Sequence, residues 1–228
     1  MKILVVAAWE PELVRFRERL AATPGPALGR LDVALDALGV GLVEAAIATT
    51  HRVARHAPDA VLLLGTCGAF RTDALPIGSV VAAEGARLAD AAAALGTAAL
   101  PDPMPVHVSF DVALHDALVA TGAKSVQIAN TVGITTDDEL ARRLASGGAD
   151  VEHLEAFAVA RACASAGVAC AAALAVANGV GSRGRAEWLE GHVAASAAAA
   201  ELAYDALGAI ASALELRSST TARSPARG

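Results

Sequence analysis

Lys2-Ile-Leu-Val-Val-Ala-Ala is an unbroken apolar run behind a single charge, the pattern of a strand buried on both faces. At Pro11 the period changes. Leu13, Phe16 and Leu20 recur at helical spacing as far as Ala22, and Thr23-Pro-Gly-Pro then breaks the pattern. Leu31–Leu38 predicts a second strand closed by Gly39-Val40-Gly41, Leu42–His56 a helix, and Ala60–Leu64 a strongly apolar strand running into Gly65-Thr66-Cys67-Gly68-Ala69. Further on, Gly78–Ala83 reads as a strand, residues 97–105 with their three prolines as a loop, and Val126–Ala129 as a short strand. Asp137–Ala145 and Val151–Ala166 read as helices, Val168–Ala177 as a buried strand, Glu187–Leu216 as mostly helix, and residues 217–228 as a frayed tail.

Strands that read as continuous apolar runs and alternate with helices predict an α/β fold with a mainly parallel sheet covered on both faces. No linker-like stretch interrupts the patterning, so residues 1–216 are expected to form one domain. Ligands on such sheets bind beyond the carboxyl ends of the strands. That rule nominates Ala8–Glu12, Gly65–Ala69, the stretch before Glu155, and Asn178–Arg185.

Composition narrows the chemistry. The net charge of −6 offers no basic patch for a nucleic-acid backbone, so no nucleic-acid partner is expected. Only 3% of residues are aromatic, which limits stacking. Cys67, Cys163 and Cys170 lack metal-type spacing and cannot all pair, so a reducing, cytoplasmic setting is expected. The first apolar stretch ends too soon, at Glu10, for a secretory signal. Ala164–Ser182 carries no charge, but its Ala/Gly content and Gly167 fit a helix end followed by a buried strand better than a membrane span.

Several side chains call for chemistry. Glu10 and Glu12 follow the first strand. A helix dipole accounts for Glu10, whereas Glu12 stands deeper in the turn and can face the crevice. Thr66 offers a hydroxyl among glycines that let a backbone approach a ligand. Gly39-Val40-Gly41 lacks the third glycine of a dinucleotide fingerprint and is rejected as an NAD site. In Asp150-Val-Glu-His-Leu-Glu155, Asp150 and Glu152 suit a helix cap and first turn, but Glu155 has only apolar neighbours after it. A metal is disfavoured because His153 and Glu155 would project in different directions from a helix, and no metal or cofactor is expected. A ligand with paired hydroxyls, such as a ribose, would satisfy Glu155 best. Asn178 is either a strand-terminal turn residue or an amide that reads a heterocycle with a donor and an acceptor.

With these motifs in this order, residues 1–205 resemble the nucleoside phosphorylase/nucleosidase superfamily, most closely its purine nucleosidases of the methylthioadenosine/adenosylhomocysteine and futalosine-hydrolysing types. MKILVVAAWEPEL resembles the family's opening strand with its glutamate. GVGLVEAAIATTHRVARHAPDAVLLLGTCGAF is similar to its second strand, helix and glycine loop, and LPIGSVVAAEGARLAD to the next strand. VEHLEAFAVARAC is similar to its ribose-binding helix, with Leu154 at a methionine position. The resemblance implies a three-layer α/β/α sandwich with a twisted mixed sheet, a homo-oligomer (dimer or tetramer) and a small-molecule purine nucleoside as partner; the composition of 164–182 already argues against a membrane. It also implies that Glu12 activates water, that Thr66 lies near the sugar ring oxygen with Gly68 among the substrate-binding residues, and that Glu155, flanked by His153 and Leu154, holds the ribose hydroxyls. Asn178 addresses the purine, Val132 falls near the base-stacking position, and Arg183 follows in the Arg-rich stretch.

The departures from the family pattern refine the expectation. Asn178 stands where methylthioadenosine-type members carry an aspartate, which points to a 6-oxopurine such as that of futalosine. NTVGITT at 130–136 and the Trp188-containing stretch point the same way. Leu174 stands where nucleosidases often carry a water-holding arginine, and Leu63 where phosphorylases carry a phosphate-binding one, so water is the expected nucleophile. The expectation is hydrolysis of a purine N-glycosidic bond. The alternatives are a methylthioadenosine/adenosylhomocysteine nucleosidase, a purine nucleoside phosphorylase, or an inactive nucleoside-binding sensor.

Overall fold

The computed structural model describes residues 1–22, 29 and 31–221, the side chains of 218–221 excepted. The Thr23-Pro-Gly-Pro turn and residues 222–228 of the expected tail lie outside them. The strands are β1 (Lys2–Ala7), β2 (Asp32–Ala37), β3 (Ala60–Ala69), β4 (Val80–Leu88), β5 (His107–Ser109), β6 (Lys124–Asn130), β7 (Val151–His153) and β8 (Ala169–Gly179). The helices are α1 (Val14–Ala22), preceded by a 3-10 turn at Glu10–Leu13, α2 (Leu42–His56), α3 (Ala91–Ala94), α4 (Val112–Ala120), α5 (Asp138–Ser146), α6 (Ala156–Ala166), α7 (Gly184–Asp205) and α8 (Leu207–Thr221).

The strands form one mixed sheet. β1 pairs in parallel with β2 and β3, β3 with β8, β4 with β6, and β6 with β7. β3–β7, β4–β5 and β4–β8 are antiparallel, so parallel pairing predominates, as the apolar runs predict. The side-chain alternation of β1 and β3 divides the core into two layers. Leu4, Val6, Val61 and Leu63 pack with Phe157 and Ala160 of α6 and Val53 of α2. Ile3, Val5, Leu62 and Leu64 pack on the other face with Phe16 of α1, Leu118 of α4, Ala203 of α7 and Ile210 of α8. That is an α/β/α arrangement. One feature of it is not visible in strand periodicity: β8 pairs with both β3 and β4, so β3, β8, β4, β6 and β7 close a ring.

Several elements differ from the sequence pattern. The glycine segment Gly65–Ala69 is not a loop but the end of β3, held through Ala69 by pairing to β8. Strand β8 runs through Asn178, so Asn178 is not a turn residue. Helix Val151–Ala166 is shorter than expected. Val151 is fully buried between Ile128 of β6 and Ala69 of β3, and that pairing holds 151–153 extended. Asp150 is therefore not a helix cap; its carboxylate accepts from Gln127 N at 2.8 Å. The expected 187–216 helix begins at Gly184, bends after Asp205 and continues to Thr221, past the point where the tail was expected to start. Strand β5 and helices α3 and α4 fall in the stretch left unassigned. Asp111 caps α4 by accepting from Leu114 N. Its apolar side chains have too little amphipathic contrast to announce a period.

Ala164–Ser182 forms the end of α6 and the buried strand β8. Among the described residues no single helix is long and apolar enough to cross a membrane; α7 and α8 approach that composition only as a pair bent by 48°. Their small residues have another use here. Ala195 and Ala199 of α7 lie against Ala175 and Ala177 of β8, all essentially inaccessible, so helix and sheet approach closely.

Candidate active site

The carboxyl ends of β1, β3, β7 and β8 converge on one cleft. Its wall includes Glu12, Thr66, Gly68, His153, Leu154, Glu155 and Asn178, so seven of the nine residues nominated from sequence come together. Val132 and Arg183 do not line it. Val132 is 71% exposed, and Ile134 two residues on reaches the cleft instead. Arg183 points outward, its side chain 85% exposed and 3.4 Å from Glu187, while Arg185 lines the cleft. Leu63 and Leu174 are fully buried core residues and contribute nothing to this wall.

Glu12 is placed by its own turn. Pro11 sets the backbone at the start of the 3-10 turn, and Glu12 Oε2 reaches back to accept from Trp9 N at 3.3 Å. Oε1 crosses to β3, accepting from Thr66 N at 3.1 Å and Thr66 Oγ1 at 3.2 Å. The residue is 8% exposed. Burial raises its pKa to about 7; the negative charge of Glu155 adds to the rise, and the bonds from Trp9 and Thr66 partly offset it.

Glu155 stands at the N-cap of α6, but its side chain does not cap the helix. His153 does that work: its Nδ1 accepts from the backbone N–H of both Glu155 and Ala156 at 3.1 Å. A ring nitrogen with two incoming donors is unprotonated. The 3.3 Å approach of His153 Nδ1 to Glu155 Oε2 is therefore a contact between two acceptors rather than an ion pair. Burial holds His153 below the usual histidine range, with Glu155 opposing. The expectation that these two side chains diverge is corrected, because residue 153 is strand and residue 155 begins the helix.

Freed from capping, Glu155 Oε1 accepts from Gly41 N at 2.6 Å. Gly41 has φ +99°, a conformation that side chains rarely adopt. The Gly39-Val40-Gly41 turn thus serves the cleft by delivering a backbone donor to Glu155 and Val40 to the wall. The 153–157 corner is braced by the fully buried Asn130. Its Nδ2 donates to Leu154 O and its Oδ1 accepts from Phe157 N, both at 2.8 Å. Asn130→Ala leaves both groups unpaired and should lower stability by about 2–3 kcal/mol, read as a shift in the urea midpoint with unchanged slope.

Asn178 lies against the backbone of two other elements. A Cβ on Gly68 would come within 3.0 Å of its Nδ2, and one on Gly184 within 3.1 Å. Nδ2 donates to Gly179 O at 2.8 Å, leaving one N–H and the carbonyl oxygen for a ligand. Glu152, expected in a helix turn, instead lies in β7 opposite Gly68. Thr135 donates to it from both N and Oγ1, and burial raises its pKa. Cys67 also lines the cleft, but burial pushes its thiol up, away from a reactive thiolate. Among the described residues no group of three or more His, Cys, Asp or Glu is placed to hold a metal ion.

Periodicity gave no warning of the aromatic wall. Trp9 and Trp188 both line the cleft with ring centroids 6.1 Å apart, and His192 stacks on Trp188 at 4.2 Å. Trp188 Nε1 donates to Thr66 Oγ1 at 3.2 Å, so the indole edge points at the same hydroxyl that serves Glu12.

Futalosine hydrolase of Streptomyces coelicolor is 34% identical over 209 residues, 84% of this chain and 85% of that protein. The 5'-methylthioadenosine/S-adenosylhomocysteine nucleosidase of Shewanella oneidensis is 34% identical over 91 residues, a match spanning only 36% of this chain and 38% of its own length. A crystal structure of the nucleosidase of that type from Colwellia psychrerythraea, in complex with adenine, superposes with a TM-score of 0.79 at 22% identity, covering 92% of this chain and 95% of that one. The fold is the same. Residues 2–212 match the family model of the phosphorylase superfamily, and the chain belongs to that superfamily.

Proposed function

We propose that the protein hydrolyses the N-glycosidic bond of a purine nucleoside, with a 6-oxopurine such as that of futalosine as the preferred base. The observation that carries this reading is Glu12: a buried carboxylate of pKa about 7, held by Trp9 and Thr66 on the cleft floor. Such a group is half-ionised at neutral pH and suits a general base. Glu12 takes a proton from water as the water attacks C1′ of an oxocarbenium-like sugar, while the C–N bond breaks and its electron pair leaves with the base. Glu155 holds the ribose hydroxyls, and Asn178 hydrogen-bonds the departing purine. The full-length similarity to a futalosine hydrolase supports this reading.

Water rather than phosphate suits the wall. Glu12, Glu152 and Glu155 line the cleft, and among the described lining residues Arg185 is the sole cation. Phosphate needs cationic or amide donors at the reacting carbon, and carboxylates there repel it. The test is base release from futalosine, aminodeoxyfutalosine, methylthioadenosine and inosine with and without inorganic phosphate. Release independent of phosphate is expected. A phosphate requirement would establish a phosphorylase, and no release despite nucleoside binding would establish a sensor.

Asn178 sets the expected base preference. Its remaining N–H can donate to O6 and its oxygen can accept from N1–H of a 6-oxopurine, whereas a 6-amino group places donor against donor. An unpaired buried polar group costs about 1–3 kcal/mol, roughly one to two orders of magnitude in discrimination. Asn178→Asp should shift the ratio of kcat/KM for futalosine over aminodeoxyfutalosine toward the amino compound by that order. An unchanged ratio removes Asn178 from base recognition.

A further inference from the structure

Glu12, Glu152 and Glu155 all line the cleft, and the reading above uses only the first and the last. Glu152 is 6% exposed, and a carboxylate so buried needs donors. Thr135 supplies two, from N at 3.2 Å and from Oγ1, and the Thr131 hydroxyl lies beside it as well. Two carboxylate oxygens offer about four lone-pair sites. One site therefore stays open to a ligand.

The place of Glu152 in the sheet gives that site a direction. Gly68 of β3 pairs with Glu152 of β7 on one side and with Asn178 of β8 on the other. Residues directly opposite one another in a sheet project to the same face, so a carboxylate and an amide flank one glycine. Neighbouring strands lie about 4.8 Å apart, which sets the two Cα atoms roughly 10 Å apart. That gap admits the edge of one planar ring between the two side chains. Gly68 keeps the floor clear, since a Cβ there would meet Val180 Cγ2 at 2.9 Å and Asn178 Nδ2 at 3.0 Å.

The two flanking groups differ in kind. Asn178 has an N–H to give, whereas an ionised carboxylate only accepts. Donor beside acceptor complements O6 beside N1–H of a 6-oxopurine. A 6-aminopurine presents the reverse order, an amino donor beside the N1 acceptor, and mismatches both.

We propose that Glu152 is a specificity-determining residue that accepts N1–H of the purine while Asn178 donates to O6. N1–H goes to the carboxylate in preference to the amide oxygen, because a charge-assisted hydrogen bond is about twice as strong as a neutral one. This deepens the nucleosidase reading and rests on it for the position of the base.

Free bases provide the test, because they bind without being cleaved. In calorimetry the parent should prefer hypoxanthine to adenine by roughly one to two orders of magnitude. Glu152→Ala should weaken hypoxanthine binding by about tenfold or more and leave adenine within a few-fold. A carboxylate that merely straps Thr135 would weaken both bases alike, and that result overturns the assignment. Glu152→Gln keeps an oxygen for Thr135 N and offers an N–H to N1 of adenine. Combined with Asn178→Asp, it should invert the preference. Should these variants fail to fold, the parent decides with isotope-labelled hypoxanthine followed by NMR. Its N1–H proton should move downfield on binding and exchange slowly with solvent; exchange as fast as in the free base overturns the assignment. The predicted ratios without cleavage of inosine would sink hydrolysis and uphold Glu152. Cleavage of inosine with no preference between the bases would do the opposite.

Discussion

Glu12→Gln should lower kcat for base release by about 10²–10⁴-fold while KM changes little, because the amide cannot take a proton from water. The same group sets the pH profile. Only the ionised form is a base, so with a pKa of about 7 activity should rise through neutral pH and level off above it. Stability should run the other way. The folded protein binds the Glu12 proton more tightly than the unfolded chain does. Stability is therefore lost as pH rises from the ordinary glutamate value of 4.5 through about 7. Glu12→Gln removes that loss, offset by the clash of its amide N–H with Trp9 N or Thr66 N. The variant should thus be more stable than the parent at pH 8, by about 1–3 kcal/mol, and less active. Near-parent turnover in the variant would reduce Glu12 to a carboxylate that merely ends its turn.

What could be read from the chain, and what could not, follows from the range of the interactions. The first strand, β3 and β8 announce themselves as apolar runs, and the rule that ligands sit beyond strand ends leads to Glu12, Thr66, Glu155 and Asn178 without coordinates. The misplaced elements are those decided by partners far away in sequence. Val151–His153 looks helical by continuity with α6, yet pairing with Gly68–Ala69 and Ile128–Asn130 makes it a strand. Trp188 finds Thr66 across 122 residues, and Gly41 finds Glu155 across 114; no local period encodes either meeting. Val132 and Ile134 are both apolar residues of one loop, and only the turn taken after β6 decides that Ile134 faces inward. The low aromatic count was a sound statistic that misled, because both tryptophans of the chain converge on one cleft.

Glu155→Ala should weaken inosine binding by about 10²–10³-fold. The carboxylate is buried, and on the proposed reading each hydrogen bond it accepts from a ribose hydroxyl contributes about 1.5–3 kcal/mol. Free hypoxanthine, which lacks the sugar, should bind within a few-fold of the parent. The variant should also shift the rising limb of the pH profile slightly to lower pH, since the charge of Glu155 adds to the rise that burial causes at Glu12. Folding should suffer less than binding does. Gly41 N loses its acceptor, but the lone pair of His153 Nδ1 is relieved of a carboxylate at 3.3 Å. The discriminating measurement uses 2′-deoxyinosine. The parent should prefer inosine strongly, and Glu155→Ala should bind the two alike. If the variant still prefers inosine, the ribose hydroxyls are held elsewhere, and Glu155 serves only to anchor the Gly41 turn against α6.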